Sequence, residues 1–186
     1  MHDWQTGRLV VATPALDDPN FERAVVLVLD HDPDGALGVV LNRASDLTVD
    51  DAMLPGWRDL VASPPVVFGG GPVEPNAIVA LGRATAAVPA DEGLSPRLDR
   101  IRLVDLDTDP VLAAVELERV RVFAGYAGWG PGQLELEVDA GAWFTLDADP
   151  RDVFTADPQR LWQDVLRRQP GELALFSTYP DDPSLN

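Results

Sequence analysis

The chain contains no cysteine and no lysine, and each absence excludes a class of site. Without cysteine it can form no disulfide framework, no thiolate zinc site and no cysteine nucleophile. Without lysine it cannot build the phosphate-binding P-loop of nucleotide hydrolases, because the lysine of that loop contacts the phosphates. Gly69–Gly71 also departs from G-x-G-x-x-G, since Glu74 occupies the last glycine position. We interpret this stretch as a place where backbone packs against backbone.

Positive charge is scarce and spread out. The chain has 14 basic residues, all arginine, against 31 acidic ones, and its formal net charge is −17. Nucleic-acid binding needs clustered basic groups that neutralise phosphates, and these arginines are scattered among acids. Direct nucleic-acid binding is therefore not predicted. The acidic surface either keeps the protein soluble or recruits a basic protein partner.

Long hydrophobic segments are absent as well. The longest apolar run, Ala24–Leu29, is far shorter than the roughly 20 residues that cross a bilayer. Met1–Arg8 lacks the apolar core of a signal peptide. These features predict a cytoplasmic protein without membrane contact.

Length and composition predict one domain, residues 1–186, of the α+β class. Apolar residues make up 46% of the chain and charged residues 24%, as in ordinary globular domains. Strand-like runs outnumber helical ones and occur in consecutive groups, which is typical of α+β folds. Helices are predicted to begin at Thr48, Thr108, Pro131 and Asp157. The predicted strands are Arg8–Ala12, Ala24–Leu29, Ala36–Asn42, Val66–Phe68, Ala77–Leu81, Ile101–Val104, a half-exposed Arg119–Phe123 and Trp143–Leu146.

The segment between the second and third predicted strands resembles a calcium loop at its start. Asp30, Asp32, Asp34 and Gly35 fit the D-x-D-x-D-G opening, but Leu41 occupies the position of the required bidentate glutamate. The flanking segments also have strand character. The pattern therefore favours a β-hairpin turn, and no metal site is predicted.

His31 is the one histidine away from the terminus, since the other is His2. It could fix the hairpin turn by hydrogen bonding, or it could act as the general acid or base of a hydrolase-like enzyme. No serine lies in a G-x-S-x-G elbow, so a serine triad has no support in the sequence.

Gly125–Gly141 is unusually rich in glycine and aromatic residues, reading GYAGWGPGQLELEVDAG. Such density predicts special backbone angles or close backbone contact. Gly130 could help to hold a small anion at the start of the following helix, although acidic residues nearby argue against it. Tyr126 and Trp129, together with Trp143, line either the core or a small pocket.

Five segments together resemble the YqgE/AlgH family of bacterial proteins in sequence, order and spacing. They are GRLVVATPAL at 7–16, FERAV at 21–25, HDPDGALGVVLNR at 31–43, GGPV at 70–73 and GYAGWGPGQLE at 125–135. The resemblance implies an α+β domain in which a branched, mostly antiparallel sheet closes into a pseudo-barrel, with short helices packed outside. It implies no catalytic residues. Some family members are labelled transcriptional regulators, and the acidic composition favours regulation through a protein partner over direct DNA contact.

The leading hypothesis is a non-enzymatic domain that binds a small molecule or a protein and needs no cofactor. Turns and glycines mark most of the shared motifs, and loops held by a rigid sheet tend to carry binding sites. An enzyme that uses His31 is the alternative. The predicted site is Phe21, Arg23, His31, Asn42, Gly70, Gly71, Pro72, Tyr126, Trp129, Gly130 and Gln133.

Overall fold

The computed structural model describes residues 4–89 and 93–179. They form a large β-sheet with short helices around it. The strands are β1 Arg8–Ala12, β2 Val25–Asp32, β3 Gly35–Val40, β4 Ala44–Thr48, β5 Val66–Gly69, β6 Val73–Ala84, β7 Ile101–Leu103, β8 Leu117–Trp129 and β9 Trp143–Asp147. The helices are α1 Pro110–Glu116, α2 Gln133–Asp139, α3 Pro150–Val153, α4 Leu161–Arg167 and α5 Leu173–Phe176, with short 3₁₀ turns at Arg58–Leu60 and Pro158–Arg160.

The sheet is branched at β8. The main strand order is β4-β5-β8-β3-β2-β1-β9, and β6 also pairs with β8 and carries β7 on its other side. The early part of β8 pairs with β6, while its end pairs with β3, where Ala36 lies opposite Trp129. Among the named strands all pairings are antiparallel except the parallel pair β5–β8. The branched and mostly antiparallel sheet is therefore as the family resemblance implies.

Alternate residues of the central strands enter different cores, because successive side chains of a strand point to opposite faces. Leu9 and Leu27 enter a core that α3 and α4 cover. Val10 and Val26 enter a second core, which α2 covers with Leu134. A third core lies against β6 and β8, under α1 and the 3₁₀ turn at 58–60.

Most predicted elements are confirmed. The run Ala24–Leu29 is buried at every position, as its unbroken apolar character predicts. The hairpin is present, with Asp32 opposite Gly35 at its closed end. The helix predicted from Pro131 is α2, followed by Gly141 in the left-handed region with φ 79°. The helix predicted near Thr108 starts at Pro110, and its cap is Asp109, whose Oδ1 accepts from Val111 N at 2.9 Å.

The helix predicted to begin at Thr48 is wrong. Thr48 ends strand β4, which pairs with β5. Asp50 takes up the following backbone donors, because its Oδ1 accepts from Ala52 N and from Met53 N at 3.0 Å each. Pairing with a neighbouring strand thus decided this segment, and the polar cap signal belongs to a turn.

The expectation of a half-exposed strand at Arg119–Phe123 is wrong at Arg121. Its side chain is buried, with the guanidinium 4.2 Å from the centre of the Phe68 ring. Nη1 donates to Thr155 O at 2.8 Å and Nη2 donates to Ser63 O at 2.6 Å. Burial, with a smaller contribution from Arg119, lowers the pKa of Arg121 to about 10. The reason is that β8 is the branching strand and is covered on both faces.

Closure of the sheet into a pseudo-barrel is not confirmed. In the part of the chain that the structure describes, the terminal strands β4 and β9 do not pair with each other. A barrel requires its edge strands to meet. The branch at β8 extends the sheet sideways into β6 and β7 instead.

Across residues 4–89 and 93–179, every helix is too short or too polar to cross a bilayer.

Candidate functional site

The stretch Gly69–Gly71, which we call the glycine corner, meets the glycine-rich end of β8 backbone to backbone. A Cβ added at Gly71 would lie 2.2 Å from Tyr126 C, and one added at Gly125 would lie 2.5 Å from Gly71 O. Gly70 N donates to Ala124 O, and Gly70 O accepts from Val40 N, both at 2.8 Å. The interpretation of Gly69–Gly71 as a close backbone contact is therefore confirmed. Pro72, beside this contact, is exposed.

The hairpin of β2 and β3, which contains His31, contacts the same strand, β8. A Cβ at Gly35 would lie 2.2 Å from Trp129 O, so the hairpin turn presses on the end of β8. The turn itself is held by Asp32, whose Oδ1 accepts from Asp34 N at 2.8 Å. Three distant sequence motifs, the hairpin, the glycine corner and the tryptophan–glycine segment, are thus neighbours along β8.

Phe21 joins Trp129 in an aromatic cluster on the α2 side of the sheet. Its ring stacks on Trp129 at 6.3 Å and meets Trp143 edge-on at 5.5 Å, between ring centres. Glu137 binds both tryptophans, since its Oε2 accepts from Trp129 Nε1 at 3.0 Å and from Trp143 Nε1 at 2.8 Å. Both indoles are buried, so this cluster is part of the core. Trp129 also lines a shallow hollow of about 210 Å³ at the hairpin turn, with Asp32 and Gly35.

Gln133 and Gly130 complete the start of α2. Gly130 N donates to Gln133 Oε1 at 3.0 Å, and Gln133 Nε2 donates to Glu137 Oε1 at 2.9 Å. The predicted residues Gly130 and Gln133 therefore connect the end of β8 to the Glu137 carboxylate. The negative charge of that carboxylate does not favour an anion at this helix start.

Removing the Glu137 carboxylate is expected to destabilise the fold. Glu137→Ala leaves two buried indole N–H groups without an acceptor, which costs about 1–3 kcal/mol for each group. We expect a loss of about 2–4 kcal/mol in the free energy of unfolding by urea titration, and a red shift of tryptophan fluorescence. Asp139→Ala, on the exposed part of the same helix, is the control and should cost under about 0.5 kcal/mol. Equal losses in the two variants would contradict the role of Glu137.

His31 is enclosed. Its side chain is 1% exposed, Nδ1 accepts from Gln5 N at 3.1 Å, and Nε2 faces Glu135 Oε1 at 3.3 Å. The edge of Trp4 covers the ring, with 5.1 Å between ring centres. A neutral imidazole whose Nδ1 accepts a hydrogen bond carries its proton on Nε2, so neither nitrogen has a lone pair free for a substrate. His2 lies outside the described residues.

Arg23 and Asn42 are at the other end of β2. Arg23 has φ 53°, an unusual left-handed conformation for a residue with a side chain. Asn42 is buried and holds both sides of this turn, because its Nδ2 donates to Arg23 O and its Oδ1 accepts from Val25 N, each at 2.9 Å. The Arg23 guanidinium lies 4.6 Å from the centre of the Trp162 ring, and Trp162 Nε1 donates to Ala12 O at 2.9 Å.

Two adjoining hollows surround this arginine, of about 370 and 360 Å³. We call them together the Arg23 groove. Both are lined by Pro19, Glu22, Arg23 and Trp162. The first continues to Asp17, Asp18 and Tyr179, and the second continues to Asn42, Arg43 and Gln163.

The charges of the Arg23 groove are mixed. Arg43 donates from Nη2 to Glu22 O, and burial lowers the pKa of its guanidinium, an effect that the Glu22 carboxylate partly offsets. Arg23 donates from Nη2 to Tyr179 O at 2.9 Å. The groove therefore combines guanidinium groups and carboxylates beside the Trp162 ring, which is itself buried.

The predicted site residues thus divide into two groups. Gly70, Gly71, Tyr126, Trp129, Gly130 and Gln133 are brought together with Phe21 and His31 around β8 and α2, where they are mainly engaged in packing. Pro72 adjoins this group and is exposed. Arg23 and Asn42 line the open groove. Sequence reasoning missed Trp162 and Arg43 as groove residues. Trp162 is buried in the core, and its ring also forms part of the groove wall.

Comparison with known proteins gives a consistent match. An AlgH-like family model matches residues 9–174. A UPF0301 protein of Streptomyces avermitilis is 56% identical, covering 97% of this chain and 95% of its own length. A UPF0301 protein of Thermobifida fusca is 52% identical with the same coverage.

Two solved structures share the fold. The crystal structure of a Corynebacterium diphtheriae protein has a TM-score of 0.87 and 33% identity, covering 96% of this chain and 94% of that one. The solution structure of the AlgH protein from Pseudomonas aeruginosa has a TM-score of 0.66 and 25% identity, covering 98% of this chain and 97% of that one.

Proposed function

The chain belongs to the AlgH-like family, and from that premise we propose that it is a non-enzymatic binding domain whose ligand occupies the Arg23 groove. The ligand is a polar small molecule or a segment of a protein partner. One observation carries this proposal: Arg23 is held in a left-handed conformation at an open groove. A strained backbone angle of this kind costs about 1–3 kcal/mol and persists where the surroundings enforce it.

Neighbouring residues hold Arg23 in its left-handed conformation. Asn42 pins the carbonyl of Arg23, and Trp162 supports its guanidinium from below. A cation on an indole face is placed in advance, so little side-chain freedom is lost when a ligand pairs with it. Preorganisation of this type supports binding.

The geometry of His31 speaks against the enzyme alternative. A general base needs a free lone pair within reach of a substrate proton. The imidazole is enclosed between Gln5, Glu135 and Trp4, and its nitrogens face protein groups. We propose that His31 fixes the hairpin against α2.

We also propose that the protein has a regulatory role in the cytoplasm, exerted through a protein or small-molecule partner. With a net charge of −17, the chain is not expected to contact DNA directly. Absence of retention on duplex DNA at low salt is the expected result.

NMR titration of the ¹⁵N-labelled protein against a library of polar metabolites and short peptides tests the groove. The indole N–H signal of Trp162 reports on it directly. We expect binders to shift that signal together with the amides of residues 13–23. Arg23→Gly keeps the left-handed backbone but removes the guanidinium, and it should weaken binding at least about tenfold because a charge-assisted contact is lost.

Arg151→Ala, which removes an exposed arginine elsewhere, is the matched control and should bind like the wild type. Shifts that cluster around His31 instead of Trp162, or equal binding by Arg23→Gly, would overturn the groove assignment. A folded His31→Ala variant that loses a measured turnover would establish the enzyme alternative in its place.

A further inference from the structure

Helix α1 turns an apolar face to solvent. Val111 is 73% exposed, Leu112 64% and Val115 74%. Of the residues of α1, all of which the structure describes, Ala113 alone is buried. A surface helix normally directs its polar residues outward, and one that is apolar all round is normally covered. The sequence PVLAAVE therefore leaves α1 without the cover that its composition requires.

The apolar surface extends beyond the helix. A hollow of about 430 Å³ lies beside α1, lined by Leu112, Leu117 and Trp57 together with Leu103 of β7. Leu103 is itself exposed. This hollow shares no lining residue with the Arg23 groove. We call the exposed residues Leu103, Val111, Leu112 and Val115 the α1 patch.

Acidic residues flank the α1 patch along the chain, and two of them, Asp105 and Glu116, line its hollow together with Arg102. Residues 103–117 contain four acids and no basic residue. The acids Asp105, Asp107, Asp109 and Glu116 are all exposed. The adjacent Arg102 is paired with Glu116, with 2.6 Å between Nη2 and Oε2. An apolar centre with a negative rim is complementary to an apolar stripe flanked by positive charges.

The same rim disfavours other occupants. A symmetric pairing of two copies places each patch on its equal, so the acidic rims would face each other and repel. Phosphate-bearing surfaces, such as anionic lipids, would be repelled as well. We therefore propose that the α1 patch docks a basic amphipathic segment of a protein partner, with its apolar side chains on Leu112 and Val115 and its lysines or arginines at the rim.

The length of α1 limits how many residues of the partner segment can contact it. Seven helical residues span about 10 Å, so α1 contacts about two turns of a partner helix. Such a helix places apolar anchors at i, i+3 or i+4 and i+7, as in other helix-in-groove complexes.

Fluorescence anisotropy with synthetic peptides tests the proposal on the full chain. The probe is an 18-residue labelled helical peptide with leucines on one face and lysines and arginines on the other. A control peptide of the same length carries glutamate in place of the lysines and arginines. We expect binding of the basic peptide, weakened by added salt, and at least about tenfold weaker binding of the acidic one.

Leu112→Ser/Val115→Ser is expected to weaken binding of the basic peptide at least about tenfold, because both apolar anchors are lost. The matched control is Leu136→Ser/Leu175→Ser, which removes two exposed leucines from α2 and α5. Circular dichroism of both double variants checks that the fold is kept. Equal weakening in the two pairs would show general attraction to an acidic protein and overturn the proposal.

Two further outcomes would also overturn it. One is a wild-type protein that binds neither peptide. The other is a wild-type dimer, measured by light scattering after size exclusion, that becomes monomeric in Leu112→Ser/Val115→Ser. That result would make a second copy of this chain the occupant.

Discussion

Gly125→Ala is expected to lose at least about 4 kcal/mol of stability in urea unfolding, while Gly132→Ala loses about 1 kcal/mol. The two glycines have the same backbone angle, φ 72°. They differ in their surroundings. A Cβ at Gly125 would lie 2.5 Å from Gly71 O and 3.0 Å from Val73 O, whereas a Cβ at Gly132 would meet no atom of another segment within 4 Å.

Comparing Gly125→Ala with Gly132→Ala separates the cost of the left-handed backbone angle from the cost of the steric clash of the new Cβ. Both variants place alanine in the left-handed region, which costs about 1–2 kcal/mol. Only Gly125→Ala also forces apart two backbone segments, the glycine corner and β8, which cannot move as a flexible side chain would. Gly141→Ala, at φ 79° and with no atom of another segment within 4 Å, is a second control.

Failure of Gly125→Ala to fold, with both controls folded, would agree with the expected result. Similar unfolding curves for all three variants would show that the close backbone contact does not organise the fold.

Arg168→Ala is expected to lose about 3–5 kcal/mol, because it leaves a buried carboxylate unpaired. Asp152 is 3% exposed, and its Oδ1 accepts from Arg168 Nη1 at 2.6 Å. Asp152 also closes the capping box of α3, where its Oδ2 accepts from Asp149 N at 2.9 Å. The pair therefore joins α3 to the end of α4. The hydrogen bonds that Arg168 donates to Asp152 raise the pKa of the Arg168 guanidinium, an effect that burial partly offsets.

Arg167→Ala is the control, one residue earlier on the same helix. Arg167 pairs with Asp164 at 3.5 Å, and both side chains are about half exposed, at 57% and 49%. Exposed pairs contribute little, so a loss below about 0.5 kcal/mol is expected. Thermal unfolding followed by circular dichroism measures both variants.

A third variant shows the source of the cost. Adding Asp152→Asn to Arg168→Ala replaces the unpaired charge by a neutral amide that can still accept from Asp149 N. We expect the double variant to be more stable than Arg168→Ala alone by about 1–2 kcal/mol. If Arg168→Ala and Arg167→Ala cost the same, the buried pair has no such role.

The sequence was most informative about local structure. The apolar run at 24–29 and the D-G turn at 34–35 predicted the hairpin, because strand periodicity and turn chemistry act over a few residues. The helix predicted to begin at Pro131 likewise formed, as α2. Local patterns failed at Thr48 and Arg121. The helix-cap signal at Thr48 lies in a strand that pairs with β5, and Arg121 is buried in a strand that pairs with β6.

The candidate site was predictable only in part, because packed and open residues share the same motifs. Sequence density of glycine and aromatic residues correctly predicted special backbone contact around Gly71 and Gly125. It could not distinguish a buried cluster at Trp129 from an open groove at Arg23. That distinction depends on which helix covers each face of the sheet, α2 on the side of Trp129 and α4 on the side of Trp162.

By itself, the amino-acid sequence determined the α+β class, the family, most strands and the exclusion of thiolate and P-loop chemistry, since these follow from residue types and short-range patterns. Only the tertiary structure decided that His31 is enclosed, that Arg23 lies at a groove and that α1 is left uncovered. The physical reason is that exposure is set by the elements packed on a residue, and those elements come from distant parts of the chain.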